Sequence, residues 1–255
     1  MQDASQQSQT LEVLAQRLCR TGPTLIITGA GISAESGVST FRGAGGYWQR
    51  FKAEELASPQ GFARDPELVW QWYQERREAL RQAQPNPGHQ AIAELAQLLP
   101  RCSLVTQNVD GLHRLTGIDH FQPYVEIHGN IWRVKCTRSG KHWMHTEPFD
   151  NPLPRCQCRA LLRPDVLWFG EMYNQDAMYK ALKAARQAEN VLVVGTSGMV
   201  WIVAGLLEEA MPEAYTAEFN LEATQLSSIV DTSILGPAGQ SLPALVNAIK
   251  ALKGS

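Results

Sequence analysis

An apolar run, Thr24-Leu25-Ile26-Ile27-Thr28, stops at Gly29-Ala30-Gly31, and this boundary constrains the fold more than any other stretch of the chain. A buried strand that ends on closely spaced glycines and leads into a helix suits a phosphate. The backbone can approach the ligand, and a helix N-terminus faces it. Gly29-Ala30-Gly31-Ile32-Ser33-Ala34 fits the G-x-G-x-x-A form of the dinucleotide fingerprint. The segment runs on through Phe41-Arg42-Gly43 into a glycine- and aromatic-rich stretch that ends at Trp48.

The rest of the chain alternates helix and strand signals. Gln6 to Arg20 has Leu11, Leu14, Ala15 and Leu18 on one helical face. Asp65-Pro66 opens a long helix expected over 66–84, and Pro85-Asn86-Pro87-Gly88 ends it before a second helix from about His89 to Leu98. Strands are expected at 103–107, 124–128, 166–169, 191–195 and 215–220. Helices are expected at 175–188, 201–211 and 242–252. Such alternation predicts an α/β fold, a Rossmann-like parallel sheet with helices on both faces. Residues 1–44, 89–130 and 165–255 would form it. A helical insertion over 45–88 and a small cysteine-containing, zinc-ribbon-like module over 131–164 would form a smaller domain. The module shows little periodicity and is expected not to be sheet.

Composition excludes some functions. The 255 residues carry a net charge of -2, with 44% hydrophobic and 19% charged residues. That balance gives no support for a nucleic-acid or membrane-surface role. No apolar run approaches the roughly 18 residues of a membrane span. The N-terminus lacks the basic and apolar regions of a secretory signal, so the expected location is cytoplasmic. Of five cysteines, Cys19 and Cys102 lie in apolar surroundings and are expected to be buried thiols. Cys136, Cys156 and Cys158 cluster in polar, proline-rich sequence, which favours metal binding over a disulfide framework.

The glycine fingerprint alone would suggest hydride transfer. Such a site needs an acidic strand end about 20 residues on to hold the ribose. That region is Gly46-Tyr47-Trp48-Gln49-Arg50-Phe51, which is no strand end. Asn220-Leu221-Glu222, after a late strand, is the better ribose candidate, and Gly195-Thr196-Ser197 offers small hydrogen-bonding residues to the same crevice.

Five motifs occur in order: GAGISAESGVSTFRG, then Thr106-Gln107-Asn108-Val109-Asp110, Ile127-His128-Gly129, Val166-Leu167-Trp168-Phe169-Gly170-Glu171 and Gly195-Thr196-Ser197. Together they resemble the sirtuin (Sir2) family over about residues 20–240. The Phe41-Arg42-Gly43-Ala44-Gly45-Gly46-Tyr47-Trp48 form resembles its class III branch, which includes bacterial CobB-type enzymes and the mitochondrial desuccinylase. The resemblance implies an NAD-dependent protein-lysine deacylase that consumes NAD and yields nicotinamide, 2'-O-acyl-ADP-ribose and free lysine. It assigns Gly29, Ala30, Gly31 and Ser33 to the pyrophosphate, and Phe41 and Arg42 to the reacting ribose. Gln107, Asn108, Val109 and Asp110 would hold the nicotinamide end, with Gly195, Thr196, Ser197, Asn220, Leu221, Glu222 and Ala238 completing the NAD site. Asn108, Asp110 and His128 would be catalytic, His128 as the general base that takes a ribose proton near neutral pH. His89, His113, His120, His142 and His145 have no such context and are expected to be surface or structural residues.

Val166, Leu167, Trp168, Phe169, Gly170 and Glu171 would pair with an acylated-lysine peptide by strand addition. Tyr73 and Arg76 match the Y-x-x-R signature of class III sirtuins, in which the pair binds the carboxylate of succinyl-, malonyl- or glutaryl-lysine. Three residues apart on a helix, they share a face, and arginine presents a fork suited to a planar carboxylate. Ala53 would leave room for the longer acyl group, and deacetylation is expected as a second activity. The family usually binds structural zinc through two C-x-x-C pairs. Here the first pair ends in Ser139 and the second is compressed to Cys156-Gln157-Cys158. A metal on Cys136, Cys156 and Cys158 would need His142, His145 or water as fourth ligand. ADP-ribosyl transfer, NAD hydrolysis and non-catalytic NAD sensing are the competing functions. The Tyr73/Arg76 pair argues against the first two, and the His128, Asn108 and Asp110 set against the third. Nucleic-acid and membrane partners are not expected, and a monomer is favoured.

Overall fold

The computed structural model describes residues 4–38, 53–120, 123–197, 201–210 and 214–254. Its centre is a six-stranded parallel sheet formed by β1 (Thr24–Thr28), β2 (Cys102–Thr106), β3 (Tyr124–Glu126), β7 (Asn190–Val194), β8 (Tyr215–Asn220) and β9 (Thr232–Leu235). The strand order is β3-β2-β1-β7-β8-β9. The direction of winding therefore reverses between β1 and β7, and open parallel sheets bind ligands at the strand ends of such a switch point. β1, β2 and β7 are buried along their whole length, as expected of strands covered on both faces.

Side-chain alternation divides the core into two layers. Ile26, Leu104 and Leu192 face α1 (Ala4–Arg20), α5 (Pro87–Leu98) and α8 (Ala238–Lys253). Leu25, Ile27, Val105, Val191 and Val193 face α6 (Gln175–Gln187) and α7 (Trp201–Ala210). Helix α8 begins one turn earlier than the sequence suggests, with Ala238 buried at its first position. Among the described residues, no helix is long and apolar enough to cross a membrane.

A third cluster lies beside the large sheet. Helices α2 (Ala53–Leu56), α3 (Pro59–Arg64) and α4 (Pro66–Arg81) pack on β4 (Gly129–Cys136) and β6 (Leu162–Val166). Helix α4 starts where Asp65 accepts a hydrogen bond from Leu68 N at 3.0 Å, with Pro66 as first helical residue. Two polar contacts tie it to the sheet: Trp70 Nε1 donates to Leu162 O at 2.8 Å and Arg77 Nε to Ile131 O at 2.7 Å.

Two expectations are corrected here. The cysteine module contains a sheet after all: β5 (His142–Met144), β4 and β6 form an antiparallel set in that order. Strand β4 has no clean alternation of buried and exposed residues, and β5 is three exposed residues long, so neither carries a period-two pattern. The strand expected over 166–169 instead ends at Val166. Beyond it Leu167 N donates to His128 O at 2.8 Å and Phe169 N to Ala57 O at 2.9 Å, so this segment links different parts of the fold.

The loops after β1 and β7 interlock. Gly29 N donates to Val194 O at 2.9 Å and Gly31 N to Gly195 O at 2.7 Å. A Cβ on Gly31 would lie 2.7 Å from Gly195 Cα, and one on Gly195 would lie 2.3 Å from Ile32 N. Gly195 also has φ of +61°, which L side chains rarely adopt. Gly195→Ala is therefore expected to lower the free energy of unfolding by about 2 kcal/mol or more. Gly140→Ala, at φ of +69° but in open space, should cost only about 1 kcal/mol. Denaturant titration of both variants checks this; equal losses would contradict the interlock.

Candidate active site

Residues from four strand ends and the segment after β3 meet at the C-terminal edge of the large sheet. From β2, Gln107 Nε2 bridges Thr28 O and Thr196 Oγ1, both at 3.4 Å, and so spans three neighbouring strand ends. Asn108 Nδ2 donates to Gly29 O at 3.1 Å and to Ser33 Oγ at 3.2 Å, fastening the glycine loop. Asn220, at the end of β8, donates through Nδ2 to Thr196 O at 2.7 Å. Ser197, Leu221 and Glu222 are exposed at the rim. At the start of α8, Gly239 N donates to Glu35 Oε1 at 2.9 Å, which brings the Ala238 end of that helix against the turn containing Ser33.

The glycines do something other than donate N–H groups to a ligand. The N–H groups of Gly29 and Gly31 are taken by Val194 and Gly195 carbonyls. What the glycines supply is close approach of the two loops: a Cβ on Gly29, Gly31 or Gly195 would collide with backbone or side-chain atoms of the facing loop. Phe41 and Arg42 lie outside the described residues, as does the side chain of Ala53.

Beneath this edge is a buried polar network. Ser33 Oγ donates to Asp110 Oδ2 at 2.8 Å, and Asp110 Oδ1 accepts from Leu112 N at 2.9 Å. Burial raises the Asp110 pKa, the hydrogen bonds from Leu112 and Ser33 oppose the rise, and the charge of Glu126 adds to it. Trp132 Nε1 donates to Asp110 O at 2.8 Å, and Val109 O accepts from Ile131 N at 2.8 Å, joining this loop to β4.

Two histidines expected at the surface or in unspecified structural roles belong to the same network. His89 is fully buried and completes a capping box on α5: Asn86 N donates to its Nδ1 at 3.3 Å. That bond leaves the proton on Nε2, which donates to Ser33 Oγ at 3.4 Å. His113 is buried against it, ring centroids 4.7 Å apart, with its Nε2 3.0 Å from Thr28 Oγ1. The signal for His89 was its place three residues after Asn86, the capping-box spacing. His113 had no comparable signal.

His128 is half-buried just after β3. Its Nδ1 is 2.9 Å from Gln107 O, and a carbonyl can only accept, so Nδ1 carries the proton. Nε2 is then the free lone pair and accepts from Tyr173 Oη at 3.3 Å. Burial lowers the pKa of this imidazole, and the Gln107 carbonyl partly opposes that. Tyr173, which the sequence did not single out, packs edge-on to Trp201 at 5.3 Å.

The loop after β6 is internally braced. Trp168 is buried, and its Nε1 donates to Tyr73 Oη at 2.9 Å. Arg163 lies over the Trp168 ring at 3.4 Å and pairs with Glu171, whose Oε2 also accepts from Trp168 N at 2.9 Å. Burial alone would raise the Glu171 pKa, but bonds from Arg163 and Trp168 hold it below the usual range. Phe169 is exposed, and Gly170 takes φ of +83°.

Tyr73 and Arg76 project from one face of α4. Burial pushes the Tyr73 phenol up to about 12 despite nearby Arg76, Trp168 and Arg163. The Arg76 guanidinium stacks on Trp72 at 4.8 Å; burial lowers its pKa, and Tyr73 opposes the shift.

In the cysteine module, the sulfurs of Cys136, Cys156 and Cys158 lie within 4.8 Å of one another, a set that fits a thiophilic metal. Among the described residues, no histidine or carboxylate joins them. His142 Nδ1 instead sits 3.1 Å from Asp165 Oδ2, and His145 stacks on Phe149 at 4.0 Å. Neither expected histidine lies in the sulfur cluster.

Residues 29–201 match the model of the Sir2 family. An NAD-dependent protein deacylase 2 of Pyrobaculum aerophilum is 46% identical over 93% of this chain and 95% of its own. The crystal structure of a Sir2 homolog–NAD complex superposes with TM-score 0.88 at 40% identity, covering 94% of each chain. A Sir2 protein solved with a deacetylated p53 peptide and 3'-O-acetyl ADP-ribose gives 0.81 at 26% identity, covering 93% of this chain and 97% of that one. The chain belongs to the Sir2 family, whose enzymes use NAD to deacylate proteins and form ADP-ribose products.

The buried histidines set a pH limit on the fold. Burial lowers the His89 pKa to about 4, and burial and His89 together hold that of His113 well below the ordinary value. Unfolding lets both bind protons at ordinary histidine affinity. Their stability contribution is therefore complete above about pH 6.5 and falls as pH drops toward 4. Denaturant titrations should show a loss on the order of 3 kcal/mol across that window from His89 alone. His89→Gln should be less stable at pH 7 but show a shallower pH slope. An unchanged slope would contradict the assignment.

Proposed function

We propose that this deacylase prefers acyl groups ending in a carboxylate, namely succinyl, malonyl or glutaryl, with acetyl as a second substrate. The observation that carries the reading is the Tyr73/Arg76 pair on α4. The arginine fork is suited to a planar anionic partner. Arg76 is held over Trp72 beside a phenol whose oxygen accepts from Trp168 and which, among the described residues, donates to no acceptor. A planar carboxylate can take two parallel bonds from the arginine and one from the tyrosine. An acetyl group offers neither charge nor acceptors there.

In this reading, acylated lysines arrive in extended peptides beside the loop 166–171. Its N–H groups at Leu167, Trp168 and Phe169 already donate within the protein, so pairing relies on its remaining backbone groups. The deacetylated p53 peptide in the structure of the Sir2 relative supports a peptide substrate. Gln107, Asn108 and Asp110 hold the nicotinamide end of NAD, and the glycine crevice receives the pyrophosphate. His128 is the general base. Gln107 O holds its proton on Nδ1, and Nε2 accepts the proton of a ribose hydroxyl. Tyr173 occupies that lone pair until the hydroxyl replaces it.

Mass spectrometry of succinyl-lysine and acetyl-lysine peptides incubated with NAD tests the proposal. Arg76→Met should cut kcat/KM for the succinyl peptide by about 10- to 100-fold, the worth of charge-assisted hydrogen bonds, and leave the acetyl peptide within a few-fold. His128→Ala should lose about 100-fold or more on both. Equal losses on both peptides in Arg76→Met would remove the carboxylate clamp. ADP-ribose formed by the wild type without acyl product would overturn the whole reading.

A further inference from the structure

Strand β8 carries a carboxylate where its neighbours carry core residues. Ala217 and Phe219 face the layer of α1, α5 and α8. Glu218 between them points to the opposite layer, beside its register partner Val193, and is fully buried. Burying a carboxylate is costly unless it is hydrogen-bonded. The partners of Glu218 among the described residues are three hydroxyls: Thr224 donates to Oε1, and Ser227 and Ser233 donate to Oε2, Ser233 at 3.2 Å. Ser233 is its register partner on β9, but Thr224 and Ser227 belong to the segment that joins β8 to β9.

Both of these loop hydroxyls bond in two directions. Thr224 Oγ1 accepts from Leu226 N at 3.0 Å, and Ser227 Oγ accepts from Thr224 N at 2.8 Å. Each takes a backbone N–H and directs its own proton to Glu218, an arrangement in which the bonds strengthen one another. A carboxylate suits the end of two such chains because both of its oxygens only accept. An amide does not, since its nitrogen cannot take a hydroxyl proton and one chain would end unpaired. One buried side chain thus folds the backbone of 224–227 back onto the sheet, with Leu226 buried in the adjoining core.

The same segment borders the nucleotide crevice. It leaves β8 at Asn220, whose Nδ2 donates to Thr196 O at 2.7 Å and whose carbonyl accepts from Gly236 N at 2.8 Å. Leu221 and Glu222 follow, exposed at the rim. Strand order places β2, with Gln107 and Asn108, on one side of the β1/β7 crevice and β8 on the other. A dinucleotide has its pyrophosphate in the middle. With the nicotinamide end at β2 and the pyrophosphate at β1/β7, the adenosine half reaches the end of β8.

We propose that Glu218 is a positioning residue for the adenosine half of NAD, acting through Thr224 and Ser227 to hold the 221–228 segment at the rim. Glu218 itself lies beneath the site and touches no part of the nucleotide. The inference rests on the reading that the 220–222 rim receives a ribose, and it is independent of the acyl preference.

Full-length Glu218→Gln keeps the size of the side chain. It should raise the Kd of ADP-ribose, measured by calorimetry, and the KM of NAD by about 10-fold, the worth of one hydrogen bond to a charged group. The value of kcat, the KM of the acyl-lysine peptide and inhibition by nicotinamide should stay as in the wild type, because the β2 end of the site is untouched. Ser227→Ala removes one chain without altering the sheet and should weaken ADP-ribose in the same way. The double variant should fall short of the product of the two single effects, as groups acting through one another do. Glu222→Ala tests the rim separately. If it weakens ADP-ribose while Glu218→Gln and Ser227→Ala do not, the proposal is overturned and the ribose reading stands; if none of the three does, both fall. A lower kcat and weaker nicotinamide inhibition in both Glu218→Gln and Ser227→Ala would show a general support of the fold, which also overturns the proposal.

Discussion

The contact on which this molecule depends most is the hydrogen bond from Gly31 N to Gly195 O, with the two backbones pressed together around it. β1 and β7 lie side by side at the point where strand order reverses, and their following loops would ordinarily diverge. Glycine at 29, 31 and 195 lets them touch instead. Once they touch, Gln107 can reach both Thr28 and Thr196, and Asn108 can reach Gly29 and Ser33. The crevice is therefore defined by backbone packing, and the amide side chains of β2 hold that packing in register.

Beneath the crevice, the chain meets the cost of burying polar groups by pairing them almost completely. Asp110 is held by a serine hydroxyl and a backbone N–H, Ser33 by Asn108 and His89, and His89 by the cap of α5. Each partner fixes the next one's tautomer or rotamer. Gln107 extends the same logic outward, since its carbonyl sets the proton on His128. His128 and Asp110 are thus each oriented by neighbouring groups of one connected network. This is how a site on loops acquires rigidity.

The parallel sheet was legible because its central strands are short apolar runs ending in glycine or in amide residues, with amphipathic helices between them. The motif residues 107–110, 128 and 195–197 do converge on one sheet edge. The small antiparallel sheet was not legible. Gly129 to Cys136 is buried in part by α4 and in part by its own module, so no single face repeats. His113 and Tyr173 were missed for a related reason: their partners, Thr28 and His128, are far away in sequence. His89 was within reach, because Asn86-Pro87-Gly88-His89 spells a capped helix start with the N3 side chain turned back. The cysteine spacing announced a metal site, while the exclusion of His142 and His145 required their actual partners, Asp165 and Phe149.

The central functional claim is that Tyr73 and Arg76 read the end of the acyl chain while His128 serves the ribose. A crystal structure with a succinyl-lysine peptide and a non-hydrolysable NAD analogue tests it most directly. The succinyl carboxylate should lie about 3 Å from both the Arg76 guanidinium and Tyr73 Oη, with His128 Nε2 released from Tyr173 and facing a ribose hydroxyl. A carboxylate left in solvent, or paired with Arg163 while Arg76 stays away from it, would contradict the claim.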